Sequence, residues 1–274
     1  MPFDVSLSAE HSPDSPHDGN NISFSVLSHA LQEGYGISPG FADFLVLGSY
    51  ILLRQSVLKP LEHLHDVDRH NYIEHDASIV HDDDLNGSEL APIRVDPGLL
   101  HKFFKKAYTP PEERSSEDSD VITIEDIAHA RVAREADGNA PPDAVHAEIA
   151  RGEFAMVLNI FGKGSAKTLD AKDLEAWLTE NRFPAHWTPT HQETLKDTLS
   201  ENKKIRELMK AYQGEGPHKI LTVIAKSDAA HQMRGVFKAI GKLLPKVENG
   251  AQPHGDGGAE VQASRKGMSE ATKL

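Results

Sequence analysis

Apolar residues recur at helical spacing along most of the chain, and capping residues mark where each apolar stretch begins. Ser23 is placed to cap a helix on which Phe24, Leu27 and Leu31 share a face, with Gly34 as its stop. Ser38-Pro39 supplies a cap and a first-turn proline for a longer apolar helix carrying Phe41, Phe44, Leu45 and Leu52. Asp96-Pro97 repeats the device before Leu99, Leu100, Phe103 and Phe104, and Thr123 with Asp126 forms a weak capping box before Ile127 and a run to Glu135. Pro141-Pro142 opens a helix from Asp143 to Phe161, which Gly162 and Gly164 close. Two more helices are predicted over 170–181 and, after Thr188-Pro189, from 190 to about 212. Residues 217–226 read equally as strand or helix, and 229–244 as a basic amphipathic helix with Met233, Val236, Ile240 and Leu243 on one side.

Three stretches lack periodicity: 8–20, the acidic and Ser-rich 109–120, and the Gly-, Gln- and Ser-rich region from about 248. The second lies between two predicted helices, the position of a lid over a pocket mouth. No repeat of solenoid period occurs and strand signals are sparse. The expectation is an all-α fold, a single compact helical domain over 1–247 followed by a disordered tail over 248–274.

Composition then removes whole classes of chemistry. Over 274 residues, 29 Lys and Arg stand against 42 Asp and Glu, a net charge of −13 that repels phosphate backbones and anionic membranes, so neither nucleic acid nor membrane is an expected partner. There is no Cys, which removes disulfides, thiolate nucleophiles and Cys-ligated zinc, haem or iron–sulfur centres. Met1 to Glu10 has neither the positive region nor the apolar run of a secretory signal, and the apolar stretch from Phe41 to Leu53 is broken by Asp43, Gly48, Ser49 and Tyr50. A cytoplasmic address is therefore expected. Sixteen His is a high count, yet none stands at a zinc-protease or finger spacing.

Two constellations could carry chemistry. In Arg69-His70-Asn71-Tyr72-Ile73-Glu74-His75-Asp76-Ala77-Ser78, acid, imidazole, acid and hydroxyl crowd together. If this segment is helical, Glu74 and Ser78 are four apart and present two oxygens on one face, suited to a hard cation such as Mg²⁺. The structural alternative is a polar helix end capped by an Asp. The second is Glu153, at the start of a stretch from Phe154 to Phe161 that is apolar on nearly every side. Burial there would raise its pKa and suit it to proton transfer near neutrality, with His146 two turns up the same face. A salt bridge to Arg151, or a surface position, is the alternative.

Asp18-Gly19-Asn20-Asn21-Ile22-Ser23, the Arg69 to Ser78 block, Ala133-Arg134-Glu135, and Gly152-Glu153 through Leu158-Asn159-Ile160-Phe161-Gly162 together resemble the fungal haem-thiolate peroxidases, peroxidase family 2, which includes chloroperoxidase and the unspecific peroxygenases. The resemblance is ordered, covers about residues 18 to 190, and is most specific in Glu-His-Asp-x-Ser. It implies a chloroperoxidase-type helical domain. It also implies that Glu74 and Ser78 hold a Mg²⁺ touching a haem propionate. His75, oriented by Asp76, then works with Glu153 as the acid–base that cleaves peroxide. The family's Pro-Cys-Pro, counted back from Asp18, falls on Pro2-Phe3-Asp4. Phe3 cannot ligate iron, and without a thiolate the push that favours O–O cleavage is lost. His11 and His17 are the nearby imidazoles, neither at the corresponding position.

Three functions remain open. The leading expectation is a repurposed enzyme of secondary metabolism that binds no cofactor. It would be a cyclase or isomerase, of Diels–Alder type among other pericyclic closures, acting on a small apolar polyketide or terpenoid through catalytic Glu153, His75 and Asp76. The others are a haem- and Mg²⁺-binding peroxidase with an axial ligand other than Cys, and a non-catalytic binding pseudoenzyme.

Overall fold

The structure, a computed structural model, describes residues 19–84, 87–113, 120–137, 142–185 and 187–213; the segments 217–226 and 229–244, the expected tail and Phe3 lie outside them. Seven α-helices and two short antiparallel ribbons are present among the described residues, in keeping with the all-α expectation.

Helix α1 (Phe24–Tyr35) starts where the Ser23 hydroxyl accepts from the Val26 N–H at 3.3 Å. It runs through Gly34 and ends two residues beyond the expected stop, because Gly36 is the residue that turns left-handed, at φ 68°, and donates its N–H back to Gln32 and Leu31. Helix α2 (Pro39–Leu52) follows directly. Strand β1 (Asn20–Ile22) pairs with β2 (Leu61–His63), Asn20 opposite His63 and Ile22 opposite Leu61. Asp96 caps α3 (Pro97–Phe104), accepting from the Leu99 N–H at 2.7 Å. Thr123 and Asp126 exchange both backbone N–H groups with each other's side chains and open α4 (Ile124–Asp137).

Asp143 caps α5 (Ala144–Phe161), and Asp170 caps α6 (Ala171–Glu180), which ends on a left-handed Asn181. Strand β3 (Val121–Ile122) pairs with β4 (Leu169–Asp170), tying the entry of α4 to the entry of α6. Helix α7 (Leu195–Tyr212) starts later than the expected residue 190. Glu193 donates its N–H to the Gly36 carbonyl and accepts from the Ser38 N–H, so residues just before Thr194 are held extended against the end of α1 and cannot join a helix.

The block Arg69 to Ser78 corrects a further expectation: it forms turns rather than a helix. Asn71 and Ala77 sit at φ 61° and 62°, which no right-handed helix accommodates, so the four-residue spacing of Glu74 and Ser78 does not align them on one face. Helix α5 is the centre of the molecule. Every residue from Glu153 to Ile160 on it is buried, and α7 packs along it while also packing on α4.

Gly36 is the sharpest backbone constraint. A Cβ there would lie 2.5 Å from the Pro189 Cβ and 2.8 Å from the His191 carbonyl, on a backbone L-residues rarely adopt, whereas a Cβ on Gly40 meets nothing within 4 Å. Gly36→Ala is expected to cost about 2 kcal/mol or more in urea unfolding, and Gly40→Ala to be neutral or stabilising by up to about 1 kcal/mol. Equal stability of the two variants would contradict this assignment of the α1 stop.

Candidate active site around a buried histidine–glutamate pair

Glu153 projects from the middle of α5, where a carboxylate is costly to bury unless it meets a partner. The partner is His75: its Nε2 lies 3.6 Å from Glu153 Oε2, with the two side chains 6% and 11% exposed. Arg151 is not the partner. It pairs with Glu148 at 2.9 Å and lies 4.0 Å from Glu135.

His75 Nδ1 is 2.8 Å from the Asp76 carbonyl, an acceptor only, so Nδ1 carries a hydrogen and donates it. A neutral His75 in that tautomer would aim a lone pair at the Glu153 carboxylate. An Nε2–H, by contrast, would point a hydrogen at Glu153 Oε2 across the 3.6 Å that separates them. Burial pushes the Glu153 carboxyl up, but the hydrogen bond and charge of His75, with the charge of Arg131, outweigh it and hold Glu153 below the usual carboxylate range. This corrects the expectation that burial alone would raise Glu153 toward neutrality. Glu153 is thus held toward its ionised form, with His75 Nε2 facing it.

Asp76 orients His75 through its backbone carbonyl, not its carboxylate. That carboxylate accepts from the Asp84 N–H at 3.1 Å through Oδ1 and faces His70 Nε2 at 3.8 Å through Oδ2. Glu74 is paired with His70 Nδ1 at 2.8 Å. Ser78 Oγ accepts from the Val80 and His81 N–H groups and lies 3.1 Å from His81 Nδ1. The fold thus brings His75 and Glu153 together, while the oxygens of Glu74 and Ser78 are engaged with different histidines.

Two arginines hold this loop: Arg131, which the sequence did not single out, and Arg134, which stood only within the Ala133-Arg134-Glu135 block and was given no role there. Arg131, almost wholly buried, donates to the Ala77 carbonyl and pairs with Glu135 at 2.9 Å. Arg134 donates to the Ser78 carbonyl at 2.7 Å and pairs with Asp83 at 2.8 Å. Their signal was available: two guanidiniums three apart share a face of α4 with Ile127, Ala128 and Ala130, all buried. His81 and His146 complete the surround. The His146 ring lies 6.3 Å from the His75 ring, its Nδ1 is 2.9 Å from Asp143, and its buried Nε2 has no hydrogen-bond partner among the described residues. A further buried acid, Glu193, is fully enclosed beside Asn159 and Thr198, and burial raises its pKa.

The donor chemistry does not fit the groups the resemblance implies. With no Cys in the chain there is no thiolate for iron. Among the described residues no cluster of three His, Cys, Asp or Glu could hold a metal ion, and Glu74 and Ser78 already have partners. No described helix is long and apolar enough to cross a membrane. In comparison with known proteins, the family Peroxidase, family 2, matches residues 15–192 of the chain, and no curated protein matches it.

His81 gives the site a pH signature. Burial lowers its pKa from 6.5 to about 3, with Glu153 opposing and His75 adding to the shift. Ser78 Oγ accepts two backbone N–H groups, so its own hydrogen is free for Nδ1 of a neutral His81. Between about pH 3 and 6.5 the unfolded chain binds a proton here that the folded chain refuses, so folding stability falls as pH drops through that window. Urea unfolding of the protein is expected to lose up to about 1.4 kcal/mol per pH unit from this group, a slope that His81→Asn reduces. Identical slopes in the two proteins would refute a neutral, buried His81.

Proposed function

This chain belongs to peroxidase family 2, and we propose that it is a thiolate-independent member of that family, a cofactor-free cyclase or isomerase acting on a small apolar polyketide or terpenoid. The observation that carries the reading is the His75–Glu153 pair, buried in a chain without sulfur donors other than Met. At 3.6 Å the Nε2–H is only partly committed to Glu153, since a hydrogen bond of this kind closes near 2.7–3.2 Å. The imidazolium is the group able to donate to a substrate carbonyl and polarise it, and the Glu153 carboxylate beside it accepts a proton from the adjacent carbon. Asp76 acts as a positioning residue through its carbonyl. Carbonyl polarisation and proton relay serve cyclisation, isomerisation and pericyclic closure alike, and need no electron from iron.

A haem-binding peroxidase with an imidazole ligand is the second reading, favoured by the unpartnered Nε2 of His146 and by Asp143 on its Nδ1, the support that metal-bound imidazoles characteristically have. Haem titration separates the two: stoichiometric uptake lost in His146→Gln supports the second.

The acid–base reading is tested with cyclohex-3-enone, a small apolar ketone whose conversion to the conjugated enone needs an acid at the carbonyl and a base at the adjacent carbon. The protein is expected to accelerate this isomerisation, and Glu153→Gln and His75→Gln each to reduce it by about 100-fold or more, with Glu153→Gln still folded. Absence of turnover above buffer, turnover that both variants retain, or a Glu153→Gln chain that cannot fold would overturn the proposal in favour of a structural ion pair.

A further inference from the structure

We propose that the recess where α5 and α6 meet residues 184–185 and 187–190 is a second binding site, for a planar aromatic molecule that carries no negative charge. The recess measures about 280 Å³ and lies among Phe161, Trp177, Leu174 and Trp187. It is separate from the His75–Glu153 pair. Phe161 is eight residues along α5 from Glu153, roughly 12 Å at the rise of an α-helix, and neither His75 nor Glu153 lines the recess.

Its walls are aromatic and rigid. The Phe161 ring lies 4.7 Å from Trp187 and 5.1 Å from Trp177, and Phe183 lies within 9° of parallel to Trp187. Trp187 is pinned from behind, its indole N–H donating to the Gly34 carbonyl at 2.9 Å across the turn that ends α1. Three residues beyond Thr190, Glu193 bonds to both Gly36 and Ser38 and ties the following chain to the end of α1. A recess lined by aromatic side chains that are already packed on one another needs little ordering to take a guest, so the cost of binding is lowered in advance. The volume sits at the lower end of ligand pockets, which suits one or two fused rings rather than a long chain.

The mouth sets the charge. Lys163 Nζ lies 3.2 Å from Asp173 and 3.7 Å from Asp170, so two carboxylates stand against one ammonium, on a protein whose net charge is −13. An anionic group on the guest meets this excess, and a neutral or cationic one does not.

The chain has two tryptophans, and both line this recess, so intrinsic indole fluorescence reports on it alone. The full-length protein is titrated with three probes that share one ring system: 2-naphthylmethanol, 2-naphthylmethylammonium and 2-naphthoate. The alcohol and the ammonium are expected to give saturable fluorescence changes, with naphthoate weaker by about threefold or more, as a partly exposed charge contact allows. Thr188→Phe, at an exposed position on the recess wall, is expected to abolish saturation while leaving the thermal midpoint unchanged. No saturable change with any probe, tightest binding of naphthoate, or undiminished binding in a folded Thr188→Phe protein would each overturn the proposal. Glu153→Gln serves as the control: it removes the acid–base pair and is expected to leave naphthyl binding intact, so the two sites fail or stand independently.

Discussion

The contact between His75 Nδ1 and the Asp76 carbonyl is the constraint on which the rest of the site depends. It fixes a hydrogen on Nδ1 of the ring. Moving a carboxylate out of water costs several kcal/mol after relaxation, and only a close, correctly protonated partner offsets that. Helix α5 is buried from Glu153 to Ile160, so the Glu153 carboxylate sits inside the core and needs a partner there. The loop carrying His75 must therefore be held against α5, and Arg131 and Arg134 hold it by donating to the Ala77 and Ser78 carbonyls. The two buried guanidiniums, the His75 ring and the Glu153 carboxylate form one connected unit whose members explain one another's burial.

That unit shows how a peroxidase family scaffold can persist without its iron ligand. The helical core, the Glu-His-Asp-x-Ser turns and the buried acid are present, and each has a protein partner: His70 on Glu74, His81 on Ser78, His75 on Glu153. The aromatic recess at the far end of α5 draws on a different part of the same helix, so one central element supports two chemically unlike environments.

Much of the fold was legible in the sequence because its helices announce themselves with local signals. Ser23, Asp96, and Thr123 with Asp126 all cap where the sequence placed them, since capping is a contact between residues two or three apart, and α5 and α6 begin directly after Asp143 and Asp170. The misses share a cause. The late start of α7 comes from Glu193 bonding to Gly36 and Ser38 about 155 residues away, and no local pattern encodes that. The turn at Ala77 is held by Arg131 of α4, again a distant partner. In the site, the pairing of His75 with Glu153 was implied by family resemblance, and Glu153 was already marked by its place at the edge of an apolar run. The direction of its pKa was misread because burial was weighed without His75 and Arg131, which approach from other elements.

The most direct measurement is the protonation state of His75 itself, read from the imidazole ¹⁵N resonances of the labelled protein near neutral pH and assigned with His75→Gln. Both nitrogens are expected to carry hydrogen, with Nδ1 donating to the Asp76 carbonyl and Nε2 facing an ionised Glu153. A neutral ring protonated only at Nε2 would contradict the account, because it would mean that Nδ1 does not donate to that carbonyl.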